Sequence, residues 1–402
     1  MRAENVIPLQ DPEFWQDPYP LLNRLRENGR VAVTDSGVKA VLRHADCEAM
    51  LRGDGFVNEG VSLLERRGFR AGDALLEWRR LTLGAINGAD HRRIRALAGR
   101  AITHQTVECM RPLIRERTHA LLDELAPRGE MDVVADLAQR LPLAVISDYL
   151  GIDEADRDRI ADTVLAGVAQ AFGVRVDEEV RSRANAMFGT LMDFIAGLIR
   201  ERSMQPRTDL LTRLMSVEES GDRLAQQEII VLFLNLFSGA TESTASAMAS
   251  GLLLFARHPE QAQRVRDNPE LLKPATEEVL RLYPPNLVLQ NKLSARRQEL
   301  FGVELAEGEQ VVIPFGAPNR DPRVWADPDR FDVTRPVQRH FSFSLGEHFC
   351  LGQALARCQL QEVFGTVLAR CHDLRLLVDA PRWKPFGAVS SMEALPLGFR
   401  AA

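Results

Sequence analysis

One long apolar segment constrains the fold of this chain more than any other feature. Residues 229–256 read IIVLFLNLFSGATESTASAMASGLLLFA, and Glu242 is the only charged residue among them. A helix of this length could span a bilayer. However, a carboxylate near its middle would cost roughly 2.5–3.5 kcal/mol on insertion, and Asn235 adds to that cost. The sequence holds no second segment of this kind. We therefore predict a helix through the centre of a large water-soluble domain, with no membrane contact.

The middle of this helix carries a face of small residues. Two series recur at three- and four-residue steps: Gly239, Ser243, Ser246 and Ser250, and Ala240, Ser243, Ala247 and Gly251. Such a face lets a neighbouring helix or a flat ligand approach the backbone, and helix packing is the commoner use. Glu242 favours a ligand, because a carboxylate here needs a partner, a water-filled cavity or a raised pKa. The hydroxyls of Ser243 and Thr244 can bond carbonyls of the preceding turn and loosen the helix. An acid beside an alcohol could form part of a proton relay.

The rest of the chain is predicted to be mainly helical with small β-sheets. The predicted helices cover about 90–102, 107–126, 136–150, 156–172, 177–203, 223–256, 273–282 and 351–371. One hairpin is predicted in 31–42 around Asp35-Ser36-Gly37 and another in 299–315 around Glu307-Gly308, and the tail is β-rich. Length alone would suggest two or three domains, but no linker or repeat supports a division. We expect one domain over 1–402, with a β-containing portion over about 1–60 and a helical core over about 90–283.

Composition excludes several classes of protein. The formal net charge of -6 argues against a nucleic-acid partner. The N-terminus has no apolar h-region, so a signal peptide or membrane anchor is not expected. Five cysteines without CxxC spacing argue against a disulfide framework. These features predict a cytoplasmic protein.

One cysteine stands in an unusual loop, FSFSLGEHFCLG, residues 341–352. Cys350 directly precedes a predicted helix, and the N-terminal end of a helix favours a thiolate. Gly346 and Gly352 suit a tight loop that a ligand approaches closely. A lone cysteine is most often a buried thiol. Zinc would need more ligands than His348 and Cys350 supply, and a Cys–His nucleophile with a distant histidine stays open.

The pattern Phe343-x-x-Gly346-x-His348-x-Cys350-x-Gly352 resembles the haem-binding loop of the cytochrome P-450 superfamily, the haem-thiolate monooxygenases. Five specified positions within ten, including a rare cysteine, make this resemblance highly specific. Ser344 stands where many members carry glycine. The resemblance implies haem b (protoporphyrin IX iron) with Cys350 as its axial ligand. It also implies the family's single-domain fold, a triangular prism of helices, in the soluble bacterial form.

A second motif of the family lies upstream of the loop. Glu278 and Arg281, followed by Tyr283 and two prolines, resemble the family's ExxR helix. Alone, this spacing also fits a solvent-exposed ion pair worth roughly 0.3 kcal/mol. Arg330 matches the arginine that joins the pair in a structural network behind the haem.

Further residues resemble the groups that bind the haem propionates. His91 and Arg95 are four apart in the segment Asp90–Arg95, hence on one helical face. A solvated basic face would be the ordinary explanation of that segment alone. By resemblance, His348 and Lys292 complete the set. Lys292 stands where many relatives carry arginine, so it would act as a point charge without the bidentate fork.

The centre of the apolar helix also resembles the family's motif, with two departures. Ala240 stands where the second glycine is usual, and Ser243 where the proton-relay threonine is usual. The resemblance implies that Glu242, Ser243 and Thr244 deliver protons during O2 activation. The implied reaction inserts one oxygen atom of O2 into a substrate, typically as a hydroxyl group. Epoxidation, dealkylation, desaturation or coupling, and a haem-binding protein without oxygenase activity, are the alternatives.

The resemblance places the substrate pocket along several segments. Its predicted lining residues are Ala240, Leu287, Val288, Leu289, Gln290, Ala388 and Val389. Mostly apolar walls predict a hydrophobic small molecule, and a variable loop over about 56–88 should cover it. No reductase sequence follows the tail, so the implied electron source is a ferredoxin with its NAD(P)H-dependent reductase. The predicted docking patch comprises Arg92, Arg93, Arg100, Arg339 and Arg357.

Overall fold

The computed structural model describes residues 5–172, 177–287 and 290–402, and the side chains of 164–172 and of Gln290 lie outside that description. The chain packs into two compact units. Unit 1 comprises Met1–Val57, Arg111–Pro142 and Glu242–Ala402, and unit 2 comprises Asn58–Met110 and Leu143–Thr241. Each unit is assembled from segments that are distant in sequence. The prediction of a single domain over 1–402 stays a prediction.

Helices make up most of the described chain. In order they are α1 Tyr19–Asn28, α2 His44–Arg52, α3 Ser62–Arg66, α4 Ala74–Leu81, α5 Gly88–Ala101, α6 His104–Glu108, α7 Arg111–Leu125, α8 Arg140–Leu150, α9 Glu154–Phe172, α10 Glu178–Met204, α11 Leu210–Ser216, α12 Gln226–Arg257, α13 Pro259–Asp267, α14 Leu272–Leu282 and α15 Gln353–Arg370. The eight predicted helices correspond to α5, α7, α8, α9, α10, α12, α14 and α15, and all are confirmed with small shifts of their ends. The short helices α1 to α4, α6, α11 and α13 were not predicted, because few apolar residues repeat in so short a segment.

The strands form small sheets. They are β1 Val6–Ile7, β2 Val31–Thr34, β3 Lys39–Val41, β4 Phe56–Val57, β5 Glu130–Asp132, β6 Glu218–Glu219, β7 Asp222–Arg223, β8 Gln290–Ser294, β9 Gln298–Leu300, β10 Val303–Leu305, β11 Gln310–Ile313, β12 Cys371–Leu376 and β13 Pro396–Ala401. A six-stranded mixed sheet has the order β1-β2-β3-β11-β8-β4, and a three-stranded sheet has the order β12-β13-β5. Two hairpins, β9–β10 and β6–β7, complete the strands.

The first predicted hairpin is confirmed and the second is wrong. β2 and β3 pair antiparallel around Gly37, as expected. In the second region the hairpin is β9–β10, which turns at Phe301 and Gly302, and both have positive φ. β11 instead pairs with β8 and β3 in the large sheet. Glycine favours a turn at Glu307-Gly308, but the two-residue turn of the hairpin forms at Phe301-Gly302.

The apolar segment forms one uninterrupted helix, α12, of 32 residues. The predicted local loosening near Ser243 is therefore wrong, because the backbone stays α-helical throughout. Among the described residues, α12 is the one helix long and apolar enough to cross a membrane, and 56% of its most apolar window is buried in protein. A core helix of a soluble protein meets the same criteria. The predicted absence of membrane contact stays a prediction.

The elements that flank the cysteine loop belong to unit 1. α14 carries the Glu278–Arg281 motif and ends before Pro284, since proline cannot continue a helix. α15 begins at Gln353, directly after the loop. A hydrophobic cluster that includes Phe315, Phe341 and Leu345 packs the start of the loop against α2 and the large sheet. The loop is therefore held between a helix on each side of it in sequence and a core beneath it.

Candidate active site

The cysteine loop is tied to itself by backbone hydrogen bonds. The N–H of Ser344 donates to the carbonyl of Phe341 (2.7 Å), and the N–H of Cys350 donates to the carbonyl of Phe343 (2.9 Å). Phe341, Phe343 and Leu345 are buried, whereas Cys350 is exposed. The loop thus anchors its apolar side chains in the core and leaves the one thiol facing outward.

Gly346 has a packing role that differs from the expected one. Its φ is +72°, and a Cβ built on it would lie 2.3 Å from the carbonyl oxygen of Leu51 in α2. Only glycine fits both the left-handed backbone and that contact. At Gly352, by contrast, an added Cβ would meet no described atom within 4 Å. Gly346 therefore serves contact with α2, and the open side of the loop lies at Gly352.

Ser344, which stands where many family members carry glycine, lowers the stability of the loop in two ways. Its φ is +58°, in the region that glycine adopts without strain. Its Oγ is buried and has no hydrogen-bond partner among the described residues. A glycine at this position would avoid both costs.

The Glu278–Arg281 motif forms a buried network, not a solvent-exposed pair. Both oxygens of Glu278 accept hydrogen bonds from Arg281, at 2.7 and 2.8 Å, and both side chains are almost fully buried. Arg335 donates its Nε–H to Glu278 Oε1 at 2.9 Å. Burial lowers the pKa of Arg281 despite the hydrogen bonds and charge of Glu278, which raise it.

The third member of this network corrects the prediction. Arg330 was expected to join Glu278, but its side chain is exposed and it contributes its backbone carbonyl, which accepts from Arg335 at 3.2 Å. The guanidinium that reaches Glu278 belongs to Arg335. The two arginines lie five residues apart in the same segment, so spacing in sequence did not distinguish them.

The network continues to the start of the cysteine loop through Asn319. Arg281 donates to the carbonyl of Asn319 (2.9 Å), and the N–H of Phe341 donates to Asn319 Oδ1 (2.7 Å). Asn319 Nδ2–H donates to Ser342 Oγ (3.1 Å), which in turn donates to the carbonyl of Leu280 (2.6 Å). α14 and the loop are therefore fixed to each other by buried hydrogen bonds.

The centre of α12 is open where its two ends are buried. Phe233 and Leu252 lie in the core, while Gly239 and Glu242 are exposed. An added Cβ at Gly239 would meet no described atom within 4 Å. Ser243 is partly exposed, and Thr244 is 3% exposed. Because Glu242 is exposed, its charge does not require a buried counter-ion.

Hydrogen bonds bring together three predicted pocket segments of unit 1. Ser246 in α12 donates its hydroxyl to the carbonyl of Ser390. The N–H of Ser390 donates to the carbonyl of Pro285 (2.7 Å). The C-terminal turn with Ala388 and Val389 is thereby fixed beside both α12 and the segment that follows α14.

The predicted pocket residues have different surroundings. Leu287 packs in a hydrophobic cluster with Leu22 and Val312, so it has a structural role as well. Ala388 is exposed and Ala240 is partly exposed. Val288 and Leu289 lie outside the described residues, and Gln290 is described only as the backbone of β8, paired with Ile313. Their roles as pocket walls stay predictions.

The predicted propionate-binding residues lie in both units. In unit 1, Lys292 in β8 is 4% exposed, and burial lowers its pKa to about 8 although the charge of Glu347 raises it. His348 ends the short 3-10 turn Gly346–His348. In unit 2, His91 is buried and Arg95 is partly exposed on α5. Their roles toward a haem stay predictions.

Four of the five predicted docking arginines lie within ion-pair distance of carboxylates, and the fourth, Arg339, lies 3.9 Å from Glu48. In unit 2, Arg93 pairs with Glu228 and Asp222, and Arg100 pairs with Glu219. In unit 1, Arg357 binds Glu277. Internal pairing reduces the positive charge these side chains present to a partner.

The residues of unit 1 fit a haem group. Cys350 supplies an exposed soft thiol, which suits iron, at the start of α15. Lys292 is a cation that is 4% exposed, and propionate carboxylates would favour its charged form against the cost of burial.

Comparisons with known proteins agree with this chemistry. A family model described as Cytochrome P450 matches residues 165–374. The biotin biosynthesis cytochrome P450 of Bacillus subtilis (strain 168) is 33% identical over 313 residues, which are 78% of each protein. Luteothin monooxygenase of Streptomyces thioluteus is 31% identical over 402 residues, covering 98% of this chain and 95% of that protein.

A solved structure extends the comparison to the fold. P450BioI in complex with hexadec-9Z-enoic acid ligated acyl carrier protein matches with a TM-score of 0.87 at 29% identity, covering 96% of this chain and 100% of that one. The predicted fold and cofactor are confirmed. The chain belongs to the cytochrome P450 family and is a haem-thiolate monooxygenase.

Proposed function

We propose that this enzyme hydroxylates a hydrophobic small molecule, with Cys350 as the axial ligand of haem b. The single observation that carries the ligand assignment is the exposed thiol of Cys350 in a loop whose apolar side chains are buried. A loop tied down in this way holds Sγ in one place, as a metal ligand requires.

The haem, when bound, would supply the activation of O2, one atom of which enters the substrate while the other leaves as water. The Sγ of Cys350 would hold the iron and donate electron density to it. Lys292 and His348 of unit 1 would balance negative charge on the haem propionates. Burial disfavours the charged form of Lys292, and a neighbouring anion would favour it.

Three residues of α12 move protons. The carboxylate of Glu242 is exposed and can take a proton from water. The hydroxyl of Ser243 is adjacent and can pass that proton on from Oγ, since a hydroxyl both donates and accepts. Thr244 is buried, and its hydroxyl helps to orient this pair. Serine has more rotamer freedom than threonine, so this relay is less rigid than the family's usual one.

The pocket selects an apolar substrate. In unit 1, Ala388 and Val389 offer small or apolar side chains, which favour an apolar ligand over a charged one. P450BioI is described in complex with a hexadecenoic acid carried by acyl carrier protein. Fatty-acyl compounds are therefore the first class to test, and polyketides of similar size are the second.

A ferredoxin and its NAD(P)H-dependent reductase supply the electrons. The support is the membership of a family whose bacterial members take electrons from redox partners. Arg339 is an exposed docking candidate, and its ion pair with Glu48 is long, at 3.9 Å. Electron-transfer rates should fall as salt rises, and charge reversal at Arg339 should reduce that dependence.

The ligand assignment is tested by absorption of the reduced, CO-bound protein. The wild type should show the red-shifted band that gives the family its name, and Cys350→Ser should lose it. Cys109→Ser is a matched control, because Cys109 is also exposed. A Cys350→Ser protein that keeps the band, or a Cys109→Ser protein that loses it, would contradict the assignment.

The substrate class is tested by a screen for the shift of the haem absorption band on ligand binding. Fatty acids, fatty-acyl carriers and polyketides should shift the band, and polar compounds of similar size should not. Compounds that shift it are then incubated with a ferredoxin, its reductase and NADPH, and products are analysed for one added oxygen atom. A response confined to polar compounds would reject the proposed class.

A further inference from the structure

Two adjacent carboxylates of α14 have separate partners. Glu278 binds Arg281 and Arg335, as described above. Glu277 binds Arg357 of α15 with both oxygens, at 2.6 Å to Nε and 2.8 Å to Nη2. Burial would raise the pKa of Glu277, but hydrogen bonds from His340 and Arg357 lower it to about 2. Glu277 is therefore an anion throughout the physiological range.

His340 is the second partner of Glu277, and its tautomer is determined by its contacts. Its Nε2 lies 3.1 Å from Glu277 Oε2. Its Nδ1 accepts the backbone N–H of Ser342 at 3.2 Å. Nδ1 therefore carries no proton in this arrangement, and Nε2–H donates to Glu277. His340 is almost fully buried, so this contact is protected from water.

Both partners of Glu277 contact the ring of Phe343. The guanidinium carbon of Arg357 lies 4.3 Å from the ring centroid, which is a cation–π distance. The His340 ring centroid lies 6.0 Å from that of Phe343, with the planes tilted by 37°. The carbonyl of Phe343 accepts the N–H of Cys350. One residue thus separates the Glu277 ion pair from the cysteine backbone.

We propose that Glu277, Arg357 and His340 are positioning residues that hold Phe343 and set the charge balance around the Cys350 thiolate. The proposal rests on Cys350 being the haem ligand. Arg357 then has a different role from the expected one, since its charge is neutralised by Glu277 instead of being offered to a redox partner. No residue of the trio need touch the haem: its charges act through space, and its contacts with Phe343 hold them beside the Cys350 loop.

The expected effect follows from charge. Reduction of the haem adds an electron, so a nearby unpaired cation favours the reduced form and an unpaired anion disfavours it. Glu277→Gln leaves the charge of Arg357 unpaired and should raise the midpoint potential. Arg357→Gln leaves the charge of Glu277 unpaired and should lower it. A loop that is only loosened would shift the potential in one direction in both variants.

The experiment measures the midpoint potential of the purified holoenzyme at pH about 8, where an ordinary histidine is neutral. The fraction of CO-bound protein with the thiolate band and the thermal unfolding midpoint are measured on the same samples. Glu362→Gln is the matched control. Glu362 is also a buried carboxylate bound to two arginines, Arg111 and Arg115, at 3.0 and 2.8 Å, and it lies on α15.

Opposite shifts for Glu277→Gln and Arg357→Gln, with a smaller shift for Glu362→Gln, support the proposal. Shifts of the same sign, no shift, or an equal shift in Glu362→Gln overturn it. If Glu277→Gln does not fold, Arg357→Gln and Arg357→Lys decide, because lysine restores the charge and should restore most of the potential. Failure of the ligand assignment is distinguishable, since the wild type itself would then lack the thiolate band.

Discussion

The cysteine loop and the centre of α12 are organised in opposite ways. Around the loop, buried hydrogen bonds join Glu278, Arg281 and Asn319 to the backbone of Phe341 and the side chain of Ser342. At the centre of α12, Gly239 and Glu242 are exposed and the helix itself is regular. The loop region must hold one atom in place, whereas the helix centre must leave room. Substitutions should therefore affect stability in the first region and chemistry in the second.

Loss of Arg335 should produce the largest effect. Arg335→Ala removes one of the guanidinium groups that bind buried Glu278, and we expect a loss at the lower end of the roughly 3–5 kcal/mol of a broken buried pair, because Arg281 still binds the carboxylate. Arg330→Ala is the matched control, because its exposed side chain should change the free energy of unfolding by less than about 0.5 kcal/mol. Urea unfolding of both variants measures the difference. Equal losses of unfolding free energy in the two variants would mean that the Arg330 side chain also stabilises the network.

Gly346→Ala should be the second most damaging change. The new Cβ would approach Leu51 O at 2.3 Å in a left-handed backbone, so we expect a loss of about 3 kcal/mol. Gly308→Ala separates the two causes. Gly308 has φ +75° and no described atom within 4 Å of an added Cβ, so it should lose only about 1 kcal/mol. Similar thermal shifts in the two variants would mean that the contact with α2 costs little.

Ser243→Ala should alter chemistry without altering stability. Removal of the hydroxyl interrupts the proposed relay, so the ratio of product to consumed NADPH should fall on the order of tenfold. Ser243→Thr should keep that ratio at or above the wild-type value, since its rotamer is restricted. Product and hydrogen peroxide are quantified together. An unchanged ratio in Ser243→Ala would remove Ser243 from the relay.

Ser344→Gly should have the smallest effect, a gain in stability. Glycine removes the strain of a serine with left-handed backbone and removes a buried hydroxyl that has no described partner. The free energy of unfolding should rise by about 1 kcal/mol. Ser342→Gly is the control, because Ser342 Oγ donates to Leu280 and its loss should destabilise the protein. A lower unfolding midpoint in Ser344→Gly would show that the serine makes a compensating contact.

Much of the fold follows from local patterns. Long amphipathic or apolar segments predicted α5, α7 to α10, α12, α14 and α15, and alternation predicted the β2–β3 hairpin. Short helices and the turn at Phe301-Gly302 escaped prediction, because a few residues carry too little periodicity. The motif around Cys350 was specific because its spacing lies within one loop. Arg335 was missed because the network's third member is selected by distance in space.

By itself, the sequence determined the family, the cofactor and the position of the cysteine, since these depend on residue types at short fixed spacings. Only the tertiary structure decided that Arg335 completes the buried network and that Gly346 serves contact with α2. It also decided that Arg357 binds Glu277 and Phe343. Those choices depend on which side chains meet after distant segments pack. Because a buried charge must find a partner wherever the fold brings one, spacing along the chain does not reveal it.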